Sequence, residues 1–254
     1  MMRVIAVTHL PFAGFFFAAS TARAVLLSIL PLKALSLLGS AQHVSVLFFV
    51  VSVCGIGASL GIYSILRHIS LRTGFLISSL AMVISIALLW TQDLWTFSLG
   101  MMFHVFGITS MEVILSLYVM QKIPRSQLSE FEPLRMVSTV MALSIGPWLG
   151  VYLQSRYADW LPFMVAAAGV LTTLIYFRWL GLHHVVMKRS SFGTVNPVRH
   201  VRRFFRQPRL RLAWILTLAR SSWWVLFIIY TPIYAVHSGL GELMGSAIVS
   251  IGSA

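Results

Sequence analysis

Long apolar runs alternate with short polar gaps along most of the chain. They lie near Thr8–Leu35, Val44–Leu66, Thr73–Gln92, Trp95–Met120, Leu134–Leu153, Trp160–Leu182 and Leu212–Val236, and an apolar segment opens again at Glu242. A helix needs roughly 20 mostly apolar residues to cross a hydrocarbon core, which each complete run supplies. A membrane β-barrel would instead show alternating segments of about ten residues. The pattern predicts an all-α, polytopic membrane protein. One gap stands apart by its length and basic character, and it divides the chain into a bundle over 1–182, a loop over 183–211 and the start of a second bundle over 212–254.

Composition agrees with the pattern. Of 254 residues, 58% are hydrophobic and 10% charged, and the mean hydropathy is +0.88. A soluble domain of this length has no need of so little charge. The first run exceeds the apolar core of a cleavable signal peptide, about 7–15 residues, so it is expected to be a retained helix. Cys54, the single cysteine, falls inside the second run, so there is no disulfide framework.

A net charge of +13 would suggest nucleic acid in a soluble protein, but here its placement carries a different meaning. Basic residues collect in alternate gaps: Arg67 and Arg72, then Lys122, Arg125 and Arg135, then Lys188 through Arg211. The intervening gaps hold Gln42 and His43, Gln92 and Asp93, Arg156 and Asp159, and His237. This is the positive-inside distribution. It predicts an inner (cell) membrane protein with a cytoplasmic N-terminus and no nucleic-acid partner. In the long loop, Asn196-Pro197 opens a segment with Val198, Val201, Phe204 and Phe205 on one face and arginines on the rest, ended by Pro208. Such a helix suits the inner interface, its arginines against anionic lipid; an ordinary orienting loop accounts for the same charges.

There is also a weak internal repeat. Pro31-Leu32-Lys33-Ala34 followed by Gly39 matches Pro232-Ile233-Tyr234-Ala235 followed by Gly239. Two parallel repeats joined by a cytoplasmic loop fit this spacing.

In layout the chain resembles a major facilitator superfamily (MFS) transporter. The family's G-x-L-A-D-R-x-G-R-R loop corresponds to Tyr63–Arg72, where Ile65 and Arg72 keep the pattern and Arg67 replaces the acidic residue. Gly146-Pro147-Trp148-Leu149-Gly150 resembles the G-P-x-x-G core of the antiporter motif, although Ala142 replaces an upstream glycine. The same five residues also read simply as a packing kink. The arginine usual in the fourth helix of the drug exporters is replaced by Phe103 or His104. The resemblance implies a six-helix N-terminal bundle, the first one to two helices of a second, and a central cavity lined by the first, fourth and seventh helices. It also implies that the chain stops after the start of the eighth helix, so that further helices or another chain complete it.

Those three helices carry deep charges: Arg23, Glu112 and Arg220. Charges at membrane depth face a cavity or a partner, because the apolar phase penalises them by several kcal/mol. Glu112 is the candidate proton carrier, since burial favours the neutral acid and a nearby arginine favours the carboxylate. Arg23 and Arg220 are candidates for compensating Glu112 or binding an anionic group. A static Arg23–Glu112 ion pair is the alternative. His104 lies about 80° round the helix from Glu112 and either shares a proton path or packs through a hydrogen bond. Trp223 and Trp224 either wall the cavity or face lipid. His183-His184 has no companions for a metal set, and no P-loop, Ser/His/Asp set or cysteine cluster appears, so neither a cofactor nor enzymatic activity is expected.

The resulting expectation is a secondary transporter working by alternating access. Proton-coupled efflux of a small organic compound comes first, and uptake of a small organic anion next. A non-transporting truncated membrane protein is the alternative of a different class.

Overall fold

The computed structural model describes residues 2–182 and 204–253, with the side chains of residues 2–9, Tyr63, Arg67 and Arg125 outside the description. Its described elements are α1 (Met2–Ala24), α2 (Ile29–Leu38), α3 (Ala41–His68), α4 (Leu71–Leu89), α5 (Leu94–Lys122), a short 3-10 turn (Arg125–Gln127), α6 (Leu128–Arg156), α7 (Leu161–Trp179), α8 (Pro208–His237) and α9 (Glu242–Gly252). No strand occurs among the described residues. Seven helical segments are long and apolar enough to cross a membrane, the first formed by α1 and α2 together over Leu10–Leu38. This is the architecture of an integral membrane protein.

The first run is broken, where the hydropathy pattern predicts one continuous helix. The N–H of Leu27 closes onto the Ala24 carbonyl at 3.1 Å, a three-residue step, before Leu30 resumes the four-residue step to Leu26 at 3.0 Å. Pro31 explains the position of the break. It has no N–H to give and its ring crowds the carbonyl four residues back, so it is accommodated best in the first turn of a fresh helix. The sixth helix begins at Leu128 rather than near Leu134, because it carries Pro133 within it instead of starting after it.

Polar caps end the helices as the sequence permits. Ser40 and Ser70 accept the N–H groups of His43 and Thr73 at the starts of α3 and α4, and Asp93 accepts that of Thr96 at the start of α5. Gly39 and Gly239 both adopt positive φ, +69° and +76°, just beyond α2 and α8. Both repeat segments thus end in a left-handed glycine, the C-cap itself after α2 and one residue past the Ser238 C-cap after α8.

Small residues set the packing. Along the α4–α5 contact, a side chain at Gly100 would meet the Leu89 backbone at 3.0 Å, and one at Gly107 would meet Met82 at 2.8 Å. Close backbone approach of this kind holds membrane helices together where water expulsion contributes little. α1 packs on α6 and α7, α3 on α5, α9 on α6 and α8, and α2 on α8. One buried cluster gathers Leu26, Ile29, Met82, Phe97, Phe163, Ile229 and neighbours. A second, aromatic cluster includes Phe15, Phe75, Tyr118, Phe131 and Phe177, with Phe75 stacked on Phe177 at 4.1 Å.

Candidate functional site

The break in the first span places Arg23 in the last turn of α1, where unpaired carbonyls favour a cation. Gly146 and Gly150 of α6 make room for that break. A Cβ on Gly146 would meet Ala24 Cβ at 2.5 Å, and one on Gly150 would collide with the Val25 carbonyl oxygen. Pro147 between them has no N–H to give to the α6 ladder, and the Trp148 N–H next to it donates to Ser250 Oγ of α9 at 2.9 Å. The G-P-x-x-G segment thus seats the backbone that carries Arg23.

Arg23 Nη1 donates to Glu112 Oε1 from α5, forming an ion pair between the first and fifth helices. The Glu112 side chain remains 56% exposed and that of Arg23 23%. The pair lines a cavity of about 280 Å³ bordered by α1, α4, α5 and α6. Phe16, Ala19, Met82, Met111, Leu115 and Met136 contribute apolar surface, and Ser20 and Thr139 supply hydroxyls that meet at 3.5 Å. A space of this size, mostly apolar with a few convergent polar groups, has the general character of a small-molecule site.

Arg135 of α6 also lines the cavity. The hydropathy pattern puts it at a helix start, where its charge speaks only to topology. Because α6 begins at Leu128, Arg135 stands well inside the helix, over the Phe16 ring at 5.4 Å. The signal for it was Glu132, three residues earlier and therefore on the same face. The two arginines are bound differently. Arg135 uses both Nε and Nη2 on Glu132, a two-pronged pair. Arg23 reaches Glu112 through Nη1, and its buried Nε finds no acceptor among the described residues.

Other sequence candidates sit elsewhere. His104 is buried in the α4–α5 contact with Nδ1 3.3 Å from Ser85 Oγ, and it is not among the cavity-lining residues. Arg220 lies on an exposed stretch of α8, forms no ion pair among the described residues, and does not line the cavity. Trp223 stacks on Phe227 at 5.3 Å on the same helix, also outside the cavity. Arg72 is exposed in the first turn of α4. The Arg67 side chain, His183, His184 and most of the amphipathic loop segment lie outside the described residues.

Lys33 was also missed as a positioned charge. Its Nζ donates to the Leu89 and Trp90 carbonyls at 2.8 and 2.9 Å, capping the C-terminal end of α4. No group of three or more His, Cys, Asp or Glu suited to a metal occurs among the described residues. No protein-family model matches the chain, and no curated protein matches it in sequence.

Proposed function

We propose that this chain belongs to a proton-coupled secondary transporter of the major facilitator type, moving a small organic compound by alternating access across the inner membrane, with its N-terminus in the cytoplasm. The observation that carries this reading is the Arg23–Glu112 pair lining an apolar cavity within membrane-spanning helices. A carboxylate that carries a proton must be reachable, which a pair sealed between helices is not. This one leaves its carboxylate more than half open. In this reading a proton replaces Arg23 as the neutralising partner of Glu112 when the two separate. Departure of Arg23 and arrival of a proton would therefore accompany each other, which gives the site two charge states to couple to two conformations. The broken first span, pivoting on Gly146 and Gly150, is the element that would move Arg23 relative to Glu112.

Export by exchange with protons is the direction the sequence places first. Uptake of an anion is the second, and Arg23 on the cavity wall, less fully paired than Arg135, favours it. The test is flux. The full chain is reconstituted in liposomes enclosing a pH-sensitive dye, and a panel of small organic acids, amines and neutral compounds is added across a pH gradient. Wild type should show compound-dependent proton movement, and Glu112→Gln should abolish it. Undiminished coupling in Glu112→Gln would remove Glu112 from the proton path. Absence of flux for every compound would favour the static pair of a non-transporting protein.

A further inference from the structure

The cavity's charges specify more than a coupled proton. Arg135 engages Glu132 through Nε and Nη2 together, one complete two-pronged face, whereas Arg23 gives one N–H to Glu112 and leaves its Nε without an acceptor among the described residues. A guanidinium presents five donors in a planar fork matched to a two-oxygen anion, so Arg23 is the under-filled member. Around it the wall is mostly apolar, with Phe16, Met82, Met111 and Leu115 on three helices. We propose that the cavity binds a small amphipathic organic anion, an apolar body bearing one carboxylate, which takes Glu112's place at Arg23.

The charged groups around Glu112 fix the consequence. α1 supplies Arg23, and α6 supplies Arg135 with its bound Glu132. α4 supplies only the apolar Met82 to the lining. His104, on the same helix as Glu112, is turned to Ser85. An incoming anion that displaces Glu112 adds one negative charge to this set. The displaced carboxylate then takes a proton, and the net charge of the cavity is unchanged: one anion in, one proton in. Anion and proton therefore bind together and travel in the same direction. A cationic compound would do the reverse, binding to ionised Glu112 and excluding the proton. On the transport reading above, joint binding of anion and proton turns the expected direction from proton-driven export to proton-driven uptake. The binding claim itself stands on the cavity alone.

The test separates binding from flux. Purified full-length chain in detergent is titrated calorimetrically with hexanoate and benzoate, against hexanamide, hexylamine and acetate as neutral, cationic and tail-less counterparts. Saturable binding is expected for the two apolar carboxylates, stronger at lower pH, with about one proton taken up per anion when buffers of different ionisation enthalpy are compared. Arg23→Gln should abolish it. Glu112→Gln should bind hexanoate about tenfold more tightly at neutral pH and lose proton uptake, a gain that misfolding cannot imitate. Equal or better binding of hexylamine, weaker binding by Glu112→Gln, or no saturable binding of either carboxylate overturns the proposal. Anion binding with proton uptake but no liposome flux would sink the transport reading alone. Flux of an amine or neutral compound without anion binding would sink this inference and leave transport standing.

Discussion

The main-chain N–H of Trp148 donates to the hydroxyl of Ser250 across 102 residues of sequence. Trp148 follows Pro147, whose ring disturbs the helical ladder of α6, and Ser250 is a buried residue of α9. This bond joins α6 at its proline to the last described helix. Removing the hydroxyl takes away the acceptor that α9 offers to this N–H. Ser250→Ala is expected to destabilise the protein by about 1–3 kcal/mol. In Pro147→Ala, where α6 can bond internally, the same serine substitution should cost less. Thermal unfolding of the two single variants and the double variant in detergent measures the difference. Additive losses would separate the serine from the proline.

Gly150 and Gly57 are both glycines within apolar helices, yet they should respond oppositely. A Cβ at Gly150 collides with the Val25 carbonyl oxygen, whereas at Gly57 nothing lies within 4 Å. Gly150→Ala should lower stability by about 1–3 kcal/mol through overpacking against rigid backbone. Gly57→Ala should be neutral or stabilising by about 1 kcal/mol, since alanine is the better helix former. Tm values in a common detergent check both. Gly150→Ala should also impair anything that depends on Arg23, because its backbone neighbours rest on that glycine.

Asp93 gives a pH dependence with a definite sign. The Thr96 hydroxyl, first, and the Thr96 N–H hold its carboxyl below the ordinary value of 3.8, at 2.7 and 2.8 Å. A carboxyl lowered in the folded state contributes stability that is fully present above the unfolded value and disappears as pH falls through the folded one. Asp93→Ala should therefore have a slightly lower Tm than wild type at neutral pH, and the gap should close as pH is taken below 3.8. Asp93→Asn, which can still cap, should keep most of the neutral-pH Tm. A gap that persists unchanged in acid would rule out the ionised cap as its source.

Much of the candidate site is legible in the sequence. Arg23 and Glu112 stand out because an ionised side chain in a long apolar run demands a partner or a cavity, and in the folded chain they are each other's partner. His104 carried the same signal with less force, because a histidine can satisfy itself with one hydroxyl, and it does so on Ser85. Arg135 escaped because its role depends on where α6 begins. Hydropathy placed that start after Pro133, while the helix runs through the proline. Lys33 escaped for a related reason: a lysine near the end of a span reads as an interfacial charge, and only its distance to the Leu89 and Trp90 carbonyls makes it a cap.

By itself, the sequence determined the helical membrane class of the protein, its apolar spans and which charged residues fall within them. Those follow from one-dimensional quantities, the length of apolar runs and the penalty on charge within them. Tertiary structure alone decided that the first span breaks beneath Arg23, that Gly146 and Gly150 receive the broken backbone, and that Arg135 rather than Arg220 shares the cavity with the Arg23–Glu112 pair. These depend on which helix faces come together. Helix packing is chosen by close contacts between small residues, and the sequence shows such residues without showing what they will touch.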